Sequence, residues 1–115
     1  MSNEERDRFL VEKIVQYCEE TMEIIEHCGG TKEGFMNDRI CRNACTTTLT
    51  QIGESANRLS EPAKCQMNVI SWNLIRGMRN ILVHDYISVD WSMIWSTITN
   101  DIPILKLVCE GYLKN

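Results

Sequence analysis

The 115-residue sequence is poor in structure breakers and in histidine. It has two prolines and two histidines, and no run of apolar residues approaching a membrane span. A transmembrane helix needs about 20 predominantly apolar residues, so none is expected. Basic excess is also missing: 12 Lys and Arg face 16 Asp and Glu, a net charge of −4. Nucleic-acid binders normally present a basic surface, so any phosphate binding here must come from a local cluster. There is no Cys-x2-Cys pair among the six cysteines. His27, Cys28, Cys41 and Cys45 could be drawn into a metal set, but each pair comes from a different predicted helix. The expected role of the cysteines is reduced core thiols, with no metal and no cofactor. The charged N-terminus, Met-Ser-Asn-Glu-Glu-Arg-Asp-Arg, lacks a signal-peptide core, and the expectation is a cytoplasmic protein without membrane partners. Repeats, low-complexity tracts, strand-like alternation and linkers are absent as well, which leaves one all-α domain over residues 1–115.

What is present is helical periodicity. Ser2 and Glu5 form a capping box, and Leu10, Ile14, Tyr17, Cys18, Met22 and Ile25 make an apolar stripe ending near His27. Gly29-Gly30 supplies the positive φ that a helix end wants. A second helix is expected from near Gly34–Asn37 to Leu59, burying Ile40, Ala44, Thr48, Ile52, Ala56 and Leu59. The small side chains at Thr46–Thr48 suit close helix approach. Gly53 inside this helix costs about 1 kcal/mol relative to Ala, which points to another group packed against it. Glu54 has two readings: a solvated pair with Arg58 one turn on, or a group that orients an arginine of the third helix. Ser60 to Val69, with Pro62, reads as a connecting loop with one short turn. Ser71 is a candidate cap for a third helix, and Asp90 for a fourth carrying Ile94, Trp95, Ile98, Ile102, Leu105 and Cys109. Pro103 predicts a kink or break near Asn100–Ile102. The result is an up-and-down bundle of four main helices.

The chemistry-bearing stretch is Arg79-Asn80-Ile81-Leu82-Val83-His84-Asp85-Tyr86. Trp72, Ile75, Met78 and Leu82 mark the buried side of its helix, and Arg76 and Asn80 lie four apart on another face. Arg79 and His84 are five apart, about 140° of rotation on a straight helix. They converge only if His84 sits at the helix end, where the backbone turns, and Arg79 reaches towards it.

Around this stretch the motifs Ile52-Gly53-Glu54-x-Ala56, Trp72-x-x-Ile75-x-Gly77-Met78-Arg79-Asn80, His84-x-Tyr86 and Val89-Asp90 follow in order. In this the chain resembles the HepT-like toxin family of the HEPN superfamily, by motif over Gln51–Leu105 and by pattern in the first helix. Ser71 stands where family members often carry proline. The resemblance implies a HEPN-like helical fold and a homodimeric endoribonuclease, the toxin of a type VII-like toxin–antitoxin pair. It implies as partner a small nucleotidyltransferase antitoxin, in a complex that could exceed a dimer. That antitoxin silences the toxin by attaching AMP to the tyrosine matching Tyr86.

These residues suit metal-independent RNA cleavage, in which the 2′-OH attacks the adjacent phosphate. Histidine titrates near neutrality, so His84 can serve as base or acid. Arg79 can grip two phosphate oxygens. Asn80 can donate to phosphate or fix His84, Tyr86 can bond the RNA backbone or the motif, and Arg76 can position phosphate. One chain supplies one motif histidine, so a twofold dimer packing this helix near its twin would complete the cleft. Two alternatives stand beside the enzyme. One is a non-catalytic HEPN module that binds nucleotide or a nucleotidyltransferase partner, and the other a structural bundle in which the motif is only a capped helix end.

Overall fold

The computed structural model describes residues 1–115, and every regular element in it is helical. The first helix, α1 (Asn3–His27), opens with the full capping box: Ser2 accepts from the Glu5 amide, and Glu5 accepts from the Ser2 amide. It closes in a Schellman motif. Gly30 N donates to Ile25 O at 2.9 Å and Gly29 N to Glu26 O at 3.1 Å, with φ of 97° and 72° at Gly29 and Gly30.

The expected second helix is two. A short α2 (Lys32–Asn37) is capped by Thr31, and α3 (Arg39–Asn57) starts afresh from Asp38. The extended Asp38 backbone breaks the run, and its carboxylate accepts from the amides of Ile40 and Cys41 at 2.9 and 3.1 Å. Arg42 reaches back to the carbonyls of Phe35 and Met36, tying the two helices together.

The buried stripe also differs from expectation. Ile40 is 74% exposed and Ala44 only half-buried, while Cys41, Cys45, Leu49 and Ile52 face the core. A row stepping by four residues drifts about 40° per step, so Ile40 lies some 120° from Ile52 and cannot share its face. On α1, Thr21 rather than Met22 is buried. Its hydroxyl meets that of Thr48 at 2.7 Å across the α1–α3 contact, which satisfies two polar groups inside the core.

After α3 the expected loop holds a short helix, α4 (Glu61–Gln66), with Pro62 in its first turn. The buried Asp7 carboxylate accepts from the Ser60 amide at 3.0 Å and the Ser60 hydroxyl at 2.6 Å, pinning α1 to this turn. Next comes α5 (Trp72–His84). Ser71 occupies its cap position but makes no capping hydrogen bond. A 3-10 turn at Tyr86–Ser88 leads to α6 (Trp91–Ser96), capped by Asp90 as expected. A π-helical turn at Thr97–Asp101 absorbs the break forecast before Pro103, and α7 (Ile102–Leu113) follows.

Helix α1 packs on α3 and α7, and α3 packs on α5. The core between them includes Leu10, Ile14, Cys18, Leu49, Ile52, Leu105 and Cys109, nearly all fully buried. All six cysteines are free, and four are buried (Cys18, Cys41, Cys45, Cys109). Burial, first of all, pushes the thiols of Cys45 and Cys109 up to about 12, and those of Cys18 and Cys41 up as well. Such thiols behave as small apolar side chains rather than nucleophiles. No three His, Cys, Asp or Glu side chains come together in a metal-holding arrangement. No helix is long and apolar enough to cross a membrane.

Candidate active site

The α3–α5 contact places Arg79. Its side chain lies directly over Gly53: a Cβ built on Gly53 would sit 2.4 Å from the Arg79 Cβ and 2.7 Å from its Cγ. This explains the glycine inside α3. The next residue along α3, Glu54, meets the guanidinium. Arg79 Nε donates to Glu54 Oε1 at 2.8 Å, and Nη2 donates to the same oxygen. The second reading of Glu54 is therefore the one realised, and Arg58 plays no part in it. A third donor, Nη1, reaches Asn80 Oδ1 at 3.0 Å. A guanidinium carries five N–H donors. Three are committed, and one remains on each terminal nitrogen.

His84 is the last residue of α5. Asp85 leaves the helix with φ −145° and ψ 47°, so the backbone turns where the sequence required it to turn. The imidazole is exposed and makes no hydrogen bond within the chain. Arg79 and His84 are not joined, because Arg79 bends to Glu54 and Asn80 instead. Asn80 accepts from Arg79 rather than fixing His84, and its amide nitrogen is left over. Arg76 is exposed, one turn before Arg79, and has no partner.

Tyr86 points away from these groups. Its hydroxyl donates to Asn43 Oδ1 on α3, and its ring stands edge-on to Trp91, with centroids 5.4 Å apart and planes at 70°. Trp91 in turn carries the Arg42 guanidinium 5.7 Å above its ring and packs edge-on to Phe35. Sequence reasoning does not find Asn43 or Arg42. An exposed asparagine far from the motif carries no local signal, and only the helix packing brings it to Tyr86. The turn is closed by backbone bonds from Ser88 N to Asp85 O (3.0 Å) and from Val89 N to Tyr86 O (3.3 Å).

The charge around α5 is lopsided. Residues 62–84 contain Lys64, Arg76, Arg79 and His84 and no Asp or Glu, in a chain of net charge −4. The same helix exposes an apolar strip, Leu74 and Ile81, with Gly77 between them at helical spacing. Unlike Gly53, Gly77 has no atom within 4 Å of a built Cβ.

Comparison with known proteins supplies the rest. No solved structure matches the chain. A "Putative RNase" of Caldanaerobacter subterraneus is 33% identical over 104 residues, covering 90% of this chain and 91% of the relative. A "Probable ribonuclease HepT" of Thermococcus cleftensis is 34% identical over 74 residues, 64% of this chain and 67% of the relative. One "Putative RNase" of Methanocaldococcus jannaschii is 29% identical over 76 residues, 66% of this chain and 70% of the relative. The family model described as Ribonuclease HepT-like matches residues 14–111, a span that includes Asn43, Gly53, Glu54 and the whole Arg79–Tyr86 stretch. This chain therefore belongs to the HepT-like ribonuclease family.

Proposed function

We propose that the protein is a metal-independent endoribonuclease whose catalytic groups are Arg79 and His84, the toxin of a toxin–antitoxin pair. One observation carries this reading. Arg79 is clamped by Glu54 over Gly53 with two donors still free, on the same helix whose last residue is the solvent-facing His84. A structural helix end has no need of such a clamp.

In the proposed reaction, His84 of one copy takes the proton from an RNA 2′-OH. The 2′-oxygen then bonds to the adjacent phosphorus, and the P–O5′ bond breaks. The leaving 5′-oxygen takes a proton from the second copy's imidazolium, giving 2′,3′-cyclic phosphate and 5′-OH ends. Arg79 stabilises the charge on the pentacoordinate phosphate through its two free donors. Asn80 holds Arg79 and offers its amide to phosphate, and Arg76 contacts a neighbouring phosphate.

A homodimer across the outer face of α5 is part of this proposal. Glycine in a helix costs about 1 kcal/mol relative to Ala, and nothing inside this chain accounts for Gly77. Close approach of a second backbone there, flanked by Leu74 and Ile81, would. The dimer would bring two His84 side chains into one cleft and double the acid-free surface. It belongs, in this reading, to a four-helix HEPN-like bundle. Tyr86 is the residue we assign to silencing by AMP transfer from a nucleotidyltransferase antitoxin. Its partial exposure and the fully exposed Ile87 beside it support a partner docking there.

The test is cleavage of mixed cellular RNA in EDTA by wild type and His84→Ala, both shown folded by circular dichroism, with Tyr86 shown unmodified by mass spectrometry. Cleavage by the wild type alone, leaving cyclic phosphate ends, is the expected result. No cleavage by the folded, unmodified wild type would move the assignment to a non-catalytic HEPN module that binds the nucleotidyltransferase.

A further inference from the structure

A second polar recess lies beside the first turn of α5. It is an open groove of about 570 Å³ between α4 and the start of α5, lined by Glu61, Lys64, Asn68, Trp72, Asn73 and Arg76 among others. We propose that this groove binds the single-stranded RNA that flanks the scissile phosphate, with Lys64 and Arg76 contacting successive backbone phosphates. The identity of the strand rests on the ribonuclease reading above.

Charge points to a polyanion. The groove's lining carries two cations, Lys64 and Arg76, against a single carboxylate, Glu61. Of these, Lys64 faces Glu61, whereas Arg76 is exposed and unpartnered. Arg8, in the other main recess of the protein, is different: its guanidinium is held by the carbonyls of Leu113 (2.9 Å) and Asn115 (3.4 Å). All five donors of Arg76 are available, whereas Arg8 already gives two of its five to main-chain carbonyls.

The remaining walls suit an unstacked strand. Asn68 and Asn73 are exposed amides that can donate to phosphate or to base edges. Trp72 gives the wall an aromatic surface, held in place by its indole N–H donating to Met67 O at 3.2 Å. Cations tracking a backbone beside an aromatic wall are the usual ingredients of sequence-tolerant single-strand binding. The groove and the proposed active site share helix α5. Arg76 is one helical turn from Arg79 and Asn80, and Leu74 belongs both to the groove rim and to the apolar strip facing the proposed second copy. A strand leaving the dimer cleft would run along this groove.

One group opposes the ligand. The Glu61 carboxylate stands 3.9 Å from Lys64 Nζ, with its side chain 86% exposed. The Lys64 side chain is only 14% exposed, but a pair this long, open to solvent on the Glu61 side, is weak enough to give way to a phosphate. It also provides a control of opposite sign, because removing the Glu61 charge should strengthen binding while removing the Lys64 charge weakens it. A merely structural ion pair would not produce that contrast.

The experiment is a fluorescence-anisotropy titration of wild type, Lys64→Ala, Arg76→Ala and Glu61→Gln with a short single-stranded oligoribonucleotide methylated at its 2′-oxygens, over a series of salt concentrations. The methylated strand cannot undergo 2′-OH attack, so binding is read independently of cleavage. Thermal melts establish that each variant is folded. Lys64→Ala and Arg76→Ala are expected to weaken binding and to flatten the log–log salt dependence by about 0.7 for each phosphate that is no longer neutralised. Glu61→Gln is expected to tighten binding. Affinity and salt slope unchanged in folded Lys64→Ala and Glu61→Gln would overturn the proposal and leave the groove to a protein partner. If the wild type binds this strand through Lys64 but cuts no RNA, the ribonuclease reading falls and the groove stands. If it cuts RNA with no dependence on Lys64, the reverse holds.

Discussion

Arg79 fills the space that a side chain at Gly53 would need: a Cβ at that position on α3 would lie 2.4 Å from the Arg79 Cβ on α5. The two helices can approach this closely only because residue 53 has no side chain. Alanine is the better helix former by about 1 kcal/mol, yet Gly53→Ala should lose up to about 2 kcal/mol net, because overpacking a closed contact costs about 1–3 kcal/mol. Urea unfolding would show it. Increased stability would mean that α3 and α5 are further apart in solution.

Glu54→Ala should leave the fold nearly intact. The pair with Arg79 is partly exposed, with side chains 43% and 21% accessible, and such pairs contribute about 0–1 kcal/mol. Its effect belongs to catalysis: Arg79 loses two of its three anchors, and RNA cleavage should fall at least tenfold while the melting temperature moves little. Cleavage at the wild-type rate would show that Arg79 needs no clamp.

Asn43 and Tyr86 tie the turn after His84 to α3. Tyr86→Phe keeps the ring against Trp91 and removes only the donor, and Asn43→Ala removes the acceptor. A double-mutant cycle on stability should give a coupling of about 0.5–1.5 kcal/mol, the usual net worth of a hydrogen bond. Strict additivity would mean that the bond is not formed in solution.

The apolar strip on α5 predicts the oligomeric state. Leu74→Glu and Ile81→Glu alter residues exposed in the single chain, so each monomer should keep its stability to within about 0.5 kcal/mol. Both should sediment as monomers and lose cleavage. A monomeric variant with full activity would refute the shared-cleft mechanism.

Alkali should unfold the protein through its buried thiols. Burial raises Cys45 and Cys109 from 9.0 to about 12. Between those values the unfolded chain has lost these protons while the native chain still holds them, so stability falls as pH rises. Each such thiol removes about 1.4 kcal/mol at one pH unit above its ordinary value. Melting temperatures measured in reductant should be level near neutrality and drop above pH 9, less steeply in Cys45→Ala relative to its own neutral value.

Much of the local structure is legible in the sequence because its causes are local. The capping box at Ser2 and Glu5, the positive-φ pair Gly29-Gly30, the Asp90 cap and the break ahead of Pro103 each act within one or two turns. The register of α3 is not legible in the same way. A row of every fourth residue from Ile40 drifts off the buried face, and Cys41 and Cys45 do not announce themselves as core-formers. The break at Asp38 escapes notice because an N-cap in the middle of an apolar pattern looks like any other polar residue.

For the site, the sequence establishes which groups exist: an arginine and a histidine on one helix, an acid-free stretch around them, and a glycine in α3 that needs an explanation. The helix end at His84 is written there too, since backbone dihedrals respond to near neighbours. Where those groups point is a matter of tertiary packing. Glu54 has two arginines within plausible reach, and the α3–α5 contact selects Arg79. Tyr86 has no visible partner in the sequence, and the fold of its turn onto α3 supplies Asn43. Both choices depend on the distance and rotation between helices, which no single residue sets. They are fixed jointly by every side chain in the contact, down to the hydrogen atom that Gly53 carries in place of a side chain.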